Sequence, residues 1–225
     1  MRGPARKQCR VDYSASCRQM RALGGDCYDF SYLVDGQIAM LVGDASGKGL
    51  AAALMMASVQ ASLQTAAVFT GDNLTALLRV VNAQACASSL ADRYATLFYA
   101  VLDQTQHTLR YVNAGHNSPL VVHRDSSIEW LEPSGAPVGL FPDASWQERV
   151  TRLQPGDLLI TYTDGVTEAP SPSGEEWGIE GLLQAANDCG IRSADEVVQS
   201  ILDTLDDFSG GVQTDDATVA VLRFL

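Results

Sequence analysis

The segment Leu41-Val42-Gly43-Asp44-Ala45-Ser46-Gly47-Lys48-Gly49 constrains this chain more than any other. The apolar run from Ile38 to Val42 reads as a buried strand that delivers an aspartate into a glycine-rich break. A helix of small residues follows, with Leu50, Leu54, Ala57 and Ala61 on one face. A carboxylate at the mouth of a buried strand, ahead of a helix, suits a hard cation. Asp26, Asp164 and Asp215 stand at comparable strand ends, so the four carboxylates are expected to gather as a two-metal site.

The segment also ends a hairpin. Residues 27–34 and 37–44 are strand-like and flank Asp35-Gly36, which favours a two-residue type I′ turn. In that register opposed residue numbers sum to 71, so Val34 faces Gln37, Cys27 faces Asp44 and Asp26 faces Ala45. Asp26 and Asp44 then arrive close together at one end, where like charges repel unless a cation lies between them.

Elsewhere the patterning predicts an edge strand over residues 8–13, an irregular stretch over 14–25, and helices over 48–67 and 73–90, the second capped by Asp72. Strands are expected over 95–103, 108–113 and 119–123, a loop over 124–145, and further strands over 147–153 and 157–163. Helices over 178–188 and 194–208 precede a last strand over 217–224. This order lacks a βαβ alternation. It points to an α+β fold of two stacked antiparallel sheets, each covered by a helix pair. Residues 1–8 read as a tail or linker stub and 9–225 as one domain.

Fifteen basic against 27 acidic residues give a net charge of −12, which argues against a nucleic-acid partner or an anionic membrane surface. Cysteines at 9, 17, 27, 86 and 189 contain no CxxC pair, so structural zinc and a disulfide framework are not expected, and a reducing, cytoplasmic setting is. The basic start, Met1 to Lys7, lacks the apolar core of a signal peptide. No 18-residue run is uninterruptedly apolar, so no transmembrane helix is expected.

Oxygen-only ligands select Mg²⁺ or Mn²⁺. Two such ions about 3.5–4 Å apart can share a water and lower its pKa towards neutrality, so attack on phosphorus would need no covalent nucleophile. The competing reading is that each aspartate caps a helix or shapes a turn. Gly43 to Gly49 fails the Walker spacing and the G-x-S-x-G elbow. Ser46 is expected to cap the helix, and Lys48 either attracts an anion near the helix start or is solvated. No cysteine is followed six places on by arginine. His116, in Asn113-Ala114-Gly115-His116-Asn117, is a candidate general acid, a phosphate contact or a loop-fixing hydrogen-bond partner. Cys27 reads as a small buried hydrophobe.

A set of segments resembles a known family. They are Gly24-Gly25-Asp26-Cys27-Tyr28-Asp29, Gly43 to Gly49, Ala95-Thr96-Leu97-Phe98, Asn113-Ala114-Gly115-His116, Pro155-Gly156-Asp157, Tyr162-Thr163-Asp164-Gly165-Val166-Thr167-Glu168 and Thr214-Asp215-Asp216-Ala217-Thr218. In this order they resemble the metal-dependent protein phosphatases of the protein phosphatase 2C class, in the bacterial branch typified by the sporulation protein SpoIIE and the stress regulator RsbU. The resemblance implies an αββα sandwich. It implies one Mn²⁺ or Mg²⁺ on Asp26, Asp44 and the Ala45 carbonyl, and a second on Asp44, Asp164 and Asp215, with Asp44 bridging and these aspartates acting through activated water. Asp29 and Asp216 match family positions and are expected behind the ligands, as is His116.

The implied reaction removes phosphate from phosphoserine or phosphothreonine. The implied partner is a phosphorylated STAS-domain anti-anti-sigma factor of a partner-switching pathway, and relatives often carry an N-terminal sensor domain. Two departures stand out: no N-terminal arginine is placed to clamp phosphate, and Ser46 stands where a general-acid histidine would be, leaving protonation of the leaving group to water. The alternatives are a phosphatase-like docking module without turnover and a two-metal phosphodiesterase.

Overall fold

The computed structural model describes residues 11–33, 36–88, 93–187 and 192–225. In chain order its elements are β1 (Val11–Arg18), β2 (Cys27–Tyr32), β3 (Ile38–Ala45), α1 (Leu50–Thr70), α2 (Leu74–Ala87), β4 (Ala95–Asp103), β5 (Thr108–Ala114), β6 (Leu120–Val122), β7 (Ile128–Trp130), β8 (Arg149–Arg152), β9 (Leu158–Tyr162), α3 (Asp164–Thr167), α4 (Gly178–Asn187), α5 (Ala194–Ser209) and β10 (Ala217–Phe224). The strands form two five-stranded sheets, ordered β1-β10-β9-β6-β7 and β2-β3-β4-β5-β8. Every strand pairing is antiparallel. The expected α+β sandwich is therefore the observed one.

Layering explains why β3 is apolar from Ile38 to Val42. Side chains alternate across a strand, and both faces of β3 are covered. Met40 and Val42 point between the sheets, with Phe98, Leu159, Leu222 and Phe224. Ala39 and Leu41 point outwards to Met55, Val59 and Leu63 of α1 and Leu77 and Val81 of α2. On the other sheet Ile160, Val219 and Val221 meet Leu182 of α4 and Val197 and Ile201 of α5.

Helix α1 carries no charged residue, and its mean hydropathy of 1.3 makes it long and apolar enough, by length and composition, to cross a membrane. The core helix of a globular protein passes the same test. Ser58, Gln60, Ser62 and Gln64 interrupt the run without adding charge. A third of the window, 33 %, is buried, and Ala52, Met55, Met56, Val59, Leu63 and Ala66 pack one face onto the sheet and α2.

Four local expectations change. Asn73, not Asp72, caps α2: its side-chain oxygen accepts the Ala76 N–H at 2.8 Å. Ser46 is not a helix cap; its hydroxyl accepts the Tyr94 N–H at 3.0 Å, and α1 starts from Gly49 without a side-chain cap. Residues 14–18 continue β1 instead of being irregular, because Tyr13 and Ala15 turn towards the inter-sheet core while Val11–Arg18 pairs along β10. A short strand, β7, also interrupts the expected loop over 124–145.

The hairpin register shifts by one. Cys27 pairs with Gly43 and Tyr32 with Ile38, so opposed numbers sum to 70. Leu33 N–H reaches the Gln37 carbonyl at 2.9 Å in the same register, and Gly36 has φ 78°. Val34 and Asp35, on which the expected turn rested, lie outside the described residues, as do residues 1–10, 89–92 and 188–191. Ala45 N–H donates to Gly25 O at 3.2 Å, so the pairing continues and sets Asp26 opposite Asp44.

Phe98 is fully buried midway between the sheets. Phe98→Ala is expected to lower unfolding free energy by about 3–5 kcal/mol through lost burial and a cavity, read from the shift in a urea unfolding curve. A change below about 1 kcal/mol would mean that the inter-sheet layer is not the main core.

Candidate metal centre

The two sheets end side by side, and four strand ends meet there. The Gly25 turn leads Asp26 into β2, and β3 ends at Asp44 and Ala45. The exit of β9 turns into the single-turn helix α3, headed by Asp164. Its neighbour β10 is entered through Asp215 and Asp216, and because β9 and β10 are antiparallel partners these acids lie at the same edge. A cleft of about 300 Å³ opens here, lined by Asp44, Asp164, Asp215 and Asp216 together with Ser46, Lys48, Tyr94, Thr96 and Asn117.

Asp26 lies beneath the cleft and is 6 % exposed. One of its oxygens accepts two hydroxyls, from Thr163 at 2.7 Å and Thr218 at 2.6 Å. The Thr163 hydroxyl in turn accepts the Thr218 N–H at 2.9 Å. Asp216 is occupied otherwise: its carboxylate accepts the backbone N–H groups of Met20 at 2.8 Å and Gly25 at 2.9 Å. It ties the 20–25 loop to the start of β10. Gly165 permits that approach, because a Cβ there would run into the Asp216 backbone carbonyl.

The carboxylates raise one another's pKa. Burial pushes Asp44 up, and the charges of Asp26, Asp164, Asp215 and Asp216 push it further, to about 8. Burial also raises Asp26, to about 6, against the lowering effect of the Thr218 and Thr163 hydroxyls. Asp164 is raised by burial and then by Asp215. One cation answers this charge: Lys48 Nζ lies 2.7 Å from Asp215 Oδ2.

The donor set fits a hard divalent cation. The cleft's acids offer oxygen only, and no histidine or cysteine lines it among the described residues. Gly25 forms a cradle: a Cβ there would lie 2.8 Å from both the Ala45 carbonyl oxygen and Asp44 Oδ1, so those two oxygens sit side by side over bare backbone. Among the described residues no three ligating side chains close round a single point.

The remaining candidates separate. Asp29 lies away from the cleft, on the helix-facing side of β2, and accepts from Ser31 at 2.9 Å and from Gln64 of α1 at 3.1 Å. It lines a larger cavity, about 460 Å³, between the sheet and the α1–α2 pair. That cavity is the more voluminous one, but its walls are mainly apolar and Asp29 is the only one of the candidate site residues in it. His116 is 2 % exposed, and burial drives its pKa down to about 4, only partly opposed by the Tyr162 carbonyl. It is held neutral, with Nδ1 3.0 Å from the Thr96 hydroxyl, its own N–H on Asn113 Oδ1 at 2.8 Å and Nε2 without a full hydrogen bond. It touches the cleft only through Thr96. Sequence reasoning assigned no role to Thr163, Thr218 or the Lys48–Asp215 pair; the one signal was a threonine within three residues of each cleft aspartate in the last two motifs.

Residues 34–225 match the family described as stage II sporulation protein E (SpoIIE). Protein IcfG of Synechocystis is 30 % identical over 90 % of this chain and 36 % of its own length. Phosphoserine phosphatase RsbU of Bacillus subtilis is 28 % identical over 95 % of this chain and 63 % of its own. The chain thus spans less than two thirds of either relative. Among solved structures, the catalytic domain of the serine/threonine protein phosphatase PstP in complex with two manganese ions superposes with a TM-score of 0.71 at 17 % identity, over 95 % of this chain and 97 % of that one.

Because folding raises the Asp44 pKa above its ordinary 3.8, the folded state binds more protons than the unfolded one between that value and about 8. Stability of the metal-free protein is therefore expected to fall as pH rises through this window. The loss should shrink on addition of Mn²⁺ and in Asp44→Asn. Thermal melts in EDTA and in Mn²⁺ across the window check this; a slope that neither Mn²⁺ nor Asp44→Asn alters would contradict it.

Proposed function

The chain belongs to the stage II sporulation protein E family of the protein phosphatase 2C class, and from that premise we propose that it is a Mn²⁺- or Mg²⁺-dependent protein serine/threonine phosphatase. The observation that carries the reading is the gathering of Asp26, Asp44, Asp164 and Asp215 at one end of the sandwich, with the Ala45 carbonyl oxygen and Asp44 Oδ1 both close to Gly25. The PstP comparison supports paired ions in this fold. Asp26, Asp44 and the Ala45 carbonyl would hold one ion, and Asp44, Asp164 and Asp215 the other. When bound, the ions supply water activation and neutralise charge on the phosphoryl group.

The chain's own residues set the geometry. The Thr163 and Thr218 hydroxyls fix one oxygen of Asp26 and leave the other for the cleft. Asp216 anchors the turn that presents Asp26 and Gly25. Neutral His116 holds the Thr96 hydroxyl at the rim. No histidine or cysteine lines the cleft among the described residues, so the chain offers no nucleophile of those types there and the serine or threonine leaving oxygen takes its proton from solvent.

The substrate we propose is a phosphorylated STAS-domain regulator in the reducing cytoplasm, where the thiols of Cys17, Cys27 and Cys86 stay free. RsbU, the relative covered most fully here, is named for phosphoserine.

The test is phosphate release from p-nitrophenyl phosphate and from a phosphoserine STAS protein with Mn²⁺ or Mg²⁺. Activity should vanish in EDTA and fall by more than about 100-fold in Asp44→Asn, since loss of an outer support alone costs 10–100-fold. Undiminished Asp44→Asn activity would refute the assignment. Partner binding without turnover in any metal would make the chain a docking module, and preference for bis-p-nitrophenyl phosphate would make it a phosphodiesterase.

A further inference from the structure

Lys48 is the only basic side chain lining the acidic cleft among the described residues. Its Nζ sits 2.7 Å from Asp215 Oδ2 and 3.4 Å from the Thr214 carbonyl. It stands between two glycines of positive φ, Gly47 at 90° and Gly49 at 75°, and its side chain is 48 % exposed. Two further cations border it: the Arg93 guanidinium donates to the Ser46 carbonyl at 2.9 Å, and Arg21 is close enough for its charge to be felt at Lys48. A protein of net charge −12 thus places positive charge at the rim of its most acidic cleft.

The floor and the rim make opposite demands. Asp215 needs a cation, and in the metal-free chain Lys48 provides it. A divalent ion on the same carboxylate would repel the ammonium, because two cations cannot share one oxygen at contact distance without a large Coulomb cost. A phosphoryl dianion entering the cleft needs positive charge from above as well as below, since carboxylates line the floor. Lysine suits such a move: its ammonium is a point charge on a flexible four-carbon stem and needs no fixed fork geometry.

We propose that Lys48 is a cation with two stations: it neutralises Asp215 in the metal-free protein and, once a divalent ion takes Asp215, turns outwards to hold the phosphoryl oxygens of substrate and product. The inference rests on the two-ion reading above and adds the phosphate-positioning residue that reading lacks. It also gives metal binding a built-in competitor, since each ion landing on Asp215 must first displace the ammonium.

Lys48→Gln keeps much of the length and removes the charge. Calorimetric titration of Mn²⁺ into the metal-free protein should show the Asp215-side ion binding several-fold tighter in Lys48→Gln than in wild type, because the competing state is gone. Inorganic phosphate titrated into the Mg²⁺-loaded protein should bind about tenfold more weakly in Lys48→Gln, the usual scale for a lost charge-assisted contact. The KM for the phosphoprotein should rise more than kcat falls, and Lys48→Arg should recover phosphate binding in part. Wild type that binds no Mn²⁺ overturns the two-ion reading and this inference together. Wild type and Lys48→Gln that titrate identically with Mn²⁺ or with phosphate overturn the inference alone. Unchanged circular dichroism and melting in EDTA would exclude misfolding of the variant; a variant that melts early is replaced by Lys48→Met in the same titrations.

Discussion

Like charges forced together at the edge of a protein interior govern this structure. Strand pairing sets Asp26 opposite Asp44, and the β9–β10 ladder brings Asp164 to Asp215. None of these positions is free to move away, because each aspartate extends a strand whose neighbours are buried on both faces. The cost of that arrangement appears as carboxyls that resist ionisation. Two devices lessen it within the chain: threonine hydroxyls donated to Asp26 and the Lys48 ammonium held against Asp215. Neither neutralises Asp44, the group most displaced and the one central to the cluster.

The surrounding details serve the same end. Gly25 and Gly165 are bare where backbone oxygens crowd close, so the 20–26 turn, β3 and α3 approach within reach of one centre. Asp216 contributes by spending its carboxylate on the Met20 and Gly25 amides and so stiffens the turn. His116 reaches the cleft only through Thr96. The larger cavity beneath α1 and α2 lies on the helix-facing side of the β2–β3 sheet, and of the candidate site residues it carries only Asp29. Volume and chemistry therefore point to different places, and the chemistry decides where function lies.

Much of this was legible in the sequence, for physical reasons. Periodicity gave the strands and helices because both faces of each sheet are covered, which makes β3 apolar from Ile38 to Val42 and α5 apolar along one face. The meeting of Asp26 with Asp44 followed from hairpin pairing alone. The register did not: it differs by one residue, which turned the expected Cys27–Asp44 pairing into Asp26–Asp44. Asp29, expected behind the ligands, lies instead on the helix-facing side, since three residues after Asp26 along a strand is the other face. The Thr163 and Thr218 bonds to Asp26 span 137 and 192 residues, and the Lys48–Asp215 pair spans 167, so no local pattern announces them.

The claim on which the rest depends is that these carboxylates form a place for divalent cations. Anomalous diffraction at the manganese edge, from crystals grown in Mn²⁺, addresses it most directly. The account predicts two peaks in the cleft, one between Asp26, Asp44 and the Ala45 carbonyl and one between Asp44, Asp164 and Asp215, with Lys48 Nζ moved off Asp215. An empty cleft in abundant Mn²⁺, with Lys48 still paired to Asp215, would contradict it.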